Sequence, residues 1–414
     1  MLRFIRVQIR DRLTRHTSSG RLIPEIDGLR FVAIGSVVLY HIRGYLVEKY
    51  SAFYLVDPTD SFLFRQLSLG HYGVELFFTI SGFILATPFI AQHLGSGPEV
   101  SLKKYFLRRI TRLEPPYIAN MILLFVLLLA TKGEPFFALF DNLIASLLYQ
   151  HNIIYAKQSV INTVAWSLEI EVQFYLLVPF LARVFTIENA YRRRTVLVGC
   201  ATLAVLARVL FLPQQGNFHV TLAHYIQYFL MGFILADFYI LNWRQSPTRY
   251  WGWDVAGLFA WIGLALAGWQ NTFALFVFPP LTLIAYMAAF RGRFFNWLFR
   301  RPVLTIIGGM CYTIYLFHYQ IISAVGRFTL KMLPTDQFLV HFTFQCLIII
   351  PAIALVSALL FVILEKPFMD PHWPTKLKKQ VTMFLGRGLK VTRTIERCSR
   401  ELLPLSHDIN QENR

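Results

Sequence analysis

Long apolar stretches separated by short basic clusters run through most of the chain. Crossing the hydrocarbon core of a bilayer takes about 20 apolar residues. Ten stretches approach or reach that length, near 29–47, 71–91, 116–131, 164–183, 195–212, 220–241, 253–269, 272–290, 303–325 and 340–364. A shorter apolar stretch at 136–149 carries Asp141 and Asn142 and reads as a re-entrant or interfacial helix rather than a span. The pattern predicts an all-α polytopic membrane bundle of about ten transmembrane helices. Lys and Arg accumulate on cytoplasmic loops. With the N-terminus in the cytoplasm, the inward-facing segments between residues 1 and 301 hold 22 Lys and Arg, against 7 in the outward-facing segments. Ten spans return the C-terminus to the same side, where the chain from 365 onward adds ten more basic residues. Three regions follow: a basic cytoplasmic segment over 1–23, a transmembrane domain over 24–370, and a basic cytoplasmic tail over 371–414. The tail reads as a surface helix on anionic lipid.

Composition agrees with the pattern. Charged residues make up 15% of the 414, Phe alone supplies 38, and mean hydropathy is +0.50. Soluble domains usually carry about 25% charge. The net charge of +17 would suggest nucleic acid on a soluble chain, but here it belongs to loops beside a membrane, so no nucleic-acid partner is expected. Cys200, Cys311, Cys346 and Cys398 form neither a metal clip nor a disulfide framework, and no metal site is expected. The first thirty residues hold six arginines before Arg30 and no long apolar core, so no cleavable signal peptide is expected.

Ionisable side chains inside a span are costly and mark candidate chemistry. In the first span Arg30 and His41 are eleven residues apart, about 20° beyond three full turns, so they share a face about 16 Å apart along the axis. A cation at the cytoplasmic mouth suits a phosphate-bearing ligand, and a deep histidine suits proton transfer. A snorkelling Arg with a packed His remains an open alternative at this point. Glu75 sits near the outer end of the second span, placed to pair with a cation or orient a histidine. Ser81-Gly82 reads as a helix-packing step. Arg109 and Arg112 lie three apart on a helix expected to end at Pro115, where they make either a diphosphate clamp or ordinary topology charge. The fourth span opens Trp166-Ser167-Leu168-Glu169-Ile170-Glu171. Ser167, Glu171 and Tyr175 lie four apart on one face, whereas Glu169 points elsewhere and is expected to be solvated. His318 follows Tyr312 and Tyr315 at helical spacing and reads as a packed histidine. Pro367 is expected to break the last span. No GxSxG, HExxH, Walker or GxGxxG pattern occurs in a supporting context, which leaves histidine-centred proton chemistry.

Taken in order, these residues resemble the acyltransferase 3 family. The resemblance rests on Asp27-Gly28-Leu29-Arg30 with His41, Gly73–Phe83, Arg109-x-x-Arg112-x-x-Pro115-x-Tyr117, Trp166-Ser167-Leu168 with Glu171, Phe174 and Tyr175, Tyr312-x-x-Tyr315-Leu316-x-His318, and Glu365-Lys366-Pro367. It covers about 24 to 370. Departures from the common pattern are Glu75, Glu114, Val172 and Cys311, and none removes a proposed catalytic group.

The resemblance implies a bacterial inner-membrane O-acyltransferase. It would move an acyl group, usually acetyl, from cytoplasmic acyl-CoA to a hydroxyl of a cell-surface or lipid-linked glycan. Acyl-CoA would be a donor substrate, with no cofactor bound permanently. His41 would act as general base or carry the acyl group briefly, with Glu171 or Glu75 orienting it. Arg30, Arg109 and Arg112 would hold the CoA phosphates, and Trp166, Ser167 and Tyr175 would contact substrate. Some members carry an extracytoplasmic esterase-like domain. The short basic tail here contains none, so transfer is expected to be completed by the membrane unit alone or with a partner acyltransferase or glycan-assembly protein. The alternatives are a transporter without acyl chemistry and an acyltransferase for a small secondary metabolite. The lack of a visible inverted repeat weighs against the transporter.

Overall fold

The computed structural model describes residues 12–15, 22–50, 54, 61–95, 97–133, 135–212, 221–243, 248–267, 272–370 and 373. Every regular element among them is helical. The principal helices are α1 (Pro24–Tyr50), α2 (Gly73–Leu94), α3 (Leu102–Lys132), α4 (Phe136–Leu147), α5 (Trp166–Leu181) and α6 (Ala190–Phe211). They continue with α7 (Ile226–Phe238), α8 (Trp251–Leu266), α9 (Thr272–Arg291), α10 (Pro302–Gly309), α11 (Cys311–Thr329) and α12 (Phe338–Leu360).

Eight helices among the described residues are long and apolar enough to cross a membrane, and nine if α10 and α11, bent by 73° at Met310, form one broken span. The chain is an integral membrane protein. The remaining stretch expected to span, 253–269, forms the 16-residue helix α8, and residues 268–271 beyond it lie outside the described ones. Helix α4 has 12 residues and is too short to cross about 30 Å of hydrocarbon. The basic N-terminal segment lies largely outside the described residues, as does the tail expected as a surface helix, apart from Trp373.

Helix α1 is central and packs against α2, α10, α11 and α12, while α2 packs along α7. Small residues permit these close approaches, since packing rather than the hydrophobic effect holds helices together in lipid. A Cβ at Gly82 of α2 would collide with the Phe229 backbone of α7. One at Gly308 of α10 would collide with the Asp27 carbonyl of α1.

Helix α3 corrects one expectation. It begins at Ser101, whose side chain accepts from Lys104 N–H, and it runs unbroken through Pro115 and Pro116 to Gly133, which adopts the left-handed conformation at φ 62°. Proline removes the N–H that would bond the carbonyl four residues back. For Pro115 that carbonyl belongs to Thr111, and Trp373 Nε1 donates to it at 3.0 Å. Tyr312 Oη donates to Leu113 O at 2.8 Å in the same region. The Trp373 indole supplies the donor that Pro115 lacks, and Arg109, Arg112 and the apolar span lie on one helix.

Candidate active site

Helices α1, α2, α3, α5 and α11 enclose a cavity of about 680 Å³. One end is basic. Arg15, Arg30, Lys104, Arg108, Arg109 and Arg112 all line the cavity, against the carboxylates Glu99, Glu171 and Glu365. The cavity follows α2 from Ala91 to Val74. The residue before Val74, Gly73, packs on Ala33, Ser36 and Val37 of α1. The other end of the cavity therefore lies level with the middle of the Arg30–His41 interval. Phe77, Ser167 and Tyr315 line it there.

The basic end is built around Asp27, which is buried at 3% exposure. Its carboxylate accepts from Arg15 through Nε at 3.1 Å and Nη2 at 3.0 Å, and from Arg30 Nη1 at 2.9 Å. One carboxylate thus serves two guanidinium groups, and a net positive charge faces the cavity. Burial is the largest influence drawing the Arg15 guanidinium below its ordinary value; neighbouring Arg30 adds to it and Asp27 opposes it. Arg109 is anchored differently. Its Nη1 donates to Tyr105 O at 3.1 Å, and its guanidinium lies 4.0 Å from the Tyr105 ring centroid. Arg112 Nε is buried without a hydrogen-bond partner among the described residues. Glu365, in the π-helical turn Phe361–Glu365, accepts from Thr313 N at 3.2 Å and Thr313 Oγ1 at 2.6 Å through one oxygen.

Ser167, Glu171 and Tyr175, expected on one face of their helix, all line the cavity. Glu171 accepts from Ser81 Oγ and from Tyr175 Oη, both at 2.5 Å. Tyr315 Oη donates to Val164 O at 2.8 Å, so its 2.6 Å contact with Ser167 has the serine as donor. The Ser81-Gly82 step therefore divides: Gly82 packs helices, and Ser81 holds the carboxylate.

The histidines sit beyond this end of the cavity and do not line it. His41 packs against Tyr40, Tyr319 and His318, with the His41 and His318 ring centroids 5.0 Å apart. The carboxylates expected beside His41 are elsewhere. Glu171 is engaged with Ser81 and Tyr175. Glu75 is buried, has Oε2 without a hydrogen-bond partner among the described residues, and lies within electrostatic reach of Arg208. Trp166 stays outside the cavity lining and packs on Tyr225 at 5.5 Å. Glu169 is not solvated: it is fully buried, and its Oε2 accepts from Asn152 N at 2.8 Å, closing the turn before α5.

Arg15 and Glu365 also line the cavity, and His318 packs on His41, yet the sequence pattern singles out none of the three as a site residue. Arg15 was one of several arginines in a basic lead-in, with no periodicity to single it out. Glu365 and His318 stood in recognisable motifs, and a buried charge or imidazole inside a span was the available signal.

Residues 23–364 match the acyltransferase domain of the acyltransferase 3 family, and the chain belongs to that family. Similar proteins include a putative O-acetyltransferase of Staphylococcus aureus strain COL, 25% identical over an alignment of 338 residues that covers 74% of this chain and 52% of the relative. Another is the O-acetyltransferase OatA of Staphylococcus aureus strain NCTC 8325, 27% identical over an alignment of 337 residues that covers 75% of this chain and 52% of the relative. The chain thus spans about half the length of the curated relatives it matches. No solved structure matches it.

Proposed function

We propose that this protein is a bacterial inner-membrane O-acyltransferase. It takes an acyl group, acetyl in the simplest case, from acyl-CoA entering the basic end, and transfers it to a glycan hydroxyl arriving from the opposite side. With α8 as a tenth crossing beside the nine, both termini lie in the cytoplasm. The observation that carries this reading is the cavity itself. Its arginine-rich end and its Phe77–Ser167–Tyr315 end lie along the same helix that carries Arg30 and His41, a pair about 16 Å apart by helical rise. Phosphates favour clustered guanidinium groups, and an extended pantetheine arm is long enough to reach from them toward the histidine.

In this reading His41 takes the proton of the acceptor hydroxyl as its oxygen attacks the thioester carbonyl. The carbon–sulfur bond breaks, and the thiolate leaves with the proton returned from His41. The products are an ester and free CoA thiol. The Ser81–Glu171–Tyr175 cluster shapes the cavity wall along which the donor lies.

Sealed vesicles test the reading. Inside-out vesicles should consume added acetyl-CoA, and right-side-out vesicles should do so only after permeabilisation. Equal consumption by both intact preparations would overturn the single-sided donor path. No consumption by any preparation would favour a transporter, which leaves the thioester intact.

A further inference from the structure

The side chain expected to orient His41 was a carboxylate, yet Glu171 and Glu75 are both placed elsewhere. A buried imidazole stands beside it instead. His318 is fully buried. Its Nδ1 faces two carbonyl oxygens, Tyr315 O at 2.8 Å and Ile314 O at 3.1 Å. Carbonyls only accept, so Nδ1 carries the hydrogen, and in the neutral ring Nε2 carries the lone pair. That Nε2 is buried and has no hydrogen-bond partner among the described residues. A buried acceptor left unmet costs free energy. The His41 ring is the neighbouring imidazole, with centroids 5.0 Å apart and planes inclined at 56°.

The helices bearing the two rings are pinned on either side of the pair. Gly308, just before α11, packs on the Asp27 carbonyl of α1, and Gly326 of α11 packs on the Tyr45 ring of α1. The register between positions 41 and 318 is thereby fixed from both directions, which is what a preorganised pair requires.

We propose that His318 is the positioning residue of His41: the two rings touch without a hydrogen bond in this structure, and a rotation of the His41 ring that turns one of its N–H groups to His318 Nε2 leaves the other His41 nitrogen as the base. The inference rests on the acyl-transfer reading above. In the transfer step the acceptor proton moves to His41 and back to the leaving thiolate. His318 stays neutral throughout, and its lone pair stabilises the imidazolium that forms, as the buried orienting group does in a hydrolase triad.

Four single variants and one double test this by acetyl-CoA turnover in proteoliposomes. His318→Phe keeps the ring volume and removes the lone pair. It should lower kcat by about 10²-fold with the donor KM unchanged. His318→Gln places an amide oxygen near the Nε2 position and should recover at least about tenfold over His318→Phe. His318→Asn reaches only the Nδ1 position, keeps the carbonyl contact, and should stay slow. His41→Ala should be inactive, and adding His318→Phe to it should cause no further loss. Wild-type kcat in His318→Phe alongside an inactive His41→Ala would overturn the positioning role and leave the acyl-transfer reading standing. An active His41→Ala would instead overturn the reading beneath it. Should His318→Phe fail to accumulate in membranes, equal rates for His318→Gln and His318→Asn would overturn the proposal on their own.

Discussion

Ser81 of α2 donates a 2.5 Å hydrogen bond to Glu171 of α5, joining two helices across one wall of the cavity. The carboxylate also takes Tyr175 and lines the cavity between the arginines and Tyr315, which in the proposed reading is the path of the donor. Glu171→Gln should lower kcat/KM by about tenfold or more, since hydrogen bonds to charged groups are worth about 1.5–3 kcal/mol. That loss should add to the loss in His318→Phe, because the two sites share no hydrogen-bond partner. A strongly sub-additive double variant in steady-state kinetics would place Glu171 in the histidine pair after all.

Asp27 is the carboxylate shared by Arg15 and Arg30. Removing one member of a buried ion cluster leaves uncompensated charge and costs about 3–5 kcal/mol. Asp27→Asn should therefore lower Tm in detergent. Added CoA should restore part of the loss, because its phosphates supply the missing counter-charge. A variant as stable as wild type, with donor affinity unchanged, would show that Asp27 does not organise the basic end.

Arg109 is already occupied by Tyr105, whereas Arg112 Nε has no hydrogen-bond partner among the described residues. Arg112→Ala should weaken CoA binding by about tenfold or more, the scale of one lost charge-assisted hydrogen bond. Arg112→Lys should recover only part, since an ammonium cannot form the planar fork. Titration calorimetry checks both. Unchanged affinity in the pair would return Arg112 to the status of topology charge.

Gly82 and Gly35 make a paired test of packing. A Cβ at Gly82 meets the Phe229 backbone, and one at Gly35 meets nothing within 4 Å. Gly82→Ala should destabilise by about 1–3 kcal/mol through overpacking, and Gly35→Ala should be close to neutral. Thermal scans showing similar Tm values for the two would contradict the α2–α7 contact.

Much of this arrangement was legible along the chain. Helical periodicity put Arg30 and His41 on one face, and the same reasoning put Ser167, Glu171 and Tyr175 on one wall. What periodicity cannot register is a partner from distant sequence. The His41–His318 contact joins helices far apart in the chain, so His318 read as mere packing. Helix α3 continues through Pro115 and Pro116, and the carbonyl that Pro115 leaves open is met by the Trp373 indole, a partner that no local rule for proline contains. Glu169 read as solvated because helical facing fixes direction within one helix, whereas its burial comes from the Asn152 turn folding over it. Local length rules are weakest at two of the ten stretches: α8 has only 16 residues, and the α10–α11 stretch is bent at Met310.

The bond from Trp373 to Thr111 also bears on where this domain begins and ends. The stretch shared with the family closes at residue 364. One residue later Glu365 lines the cavity, and nine residues later an indole caps the carbonyl that Pro115 leaves open. On the other side Arg15, ahead of the matched stretch, supplies two of the contacts to Asp27. Evolutionary and physical boundaries do not coincide here. A fragment cut at the edges of the shared stretch would carry an orphaned backbone acceptor into the bilayer and would leave Asp27 with only one of its three guanidinium contacts.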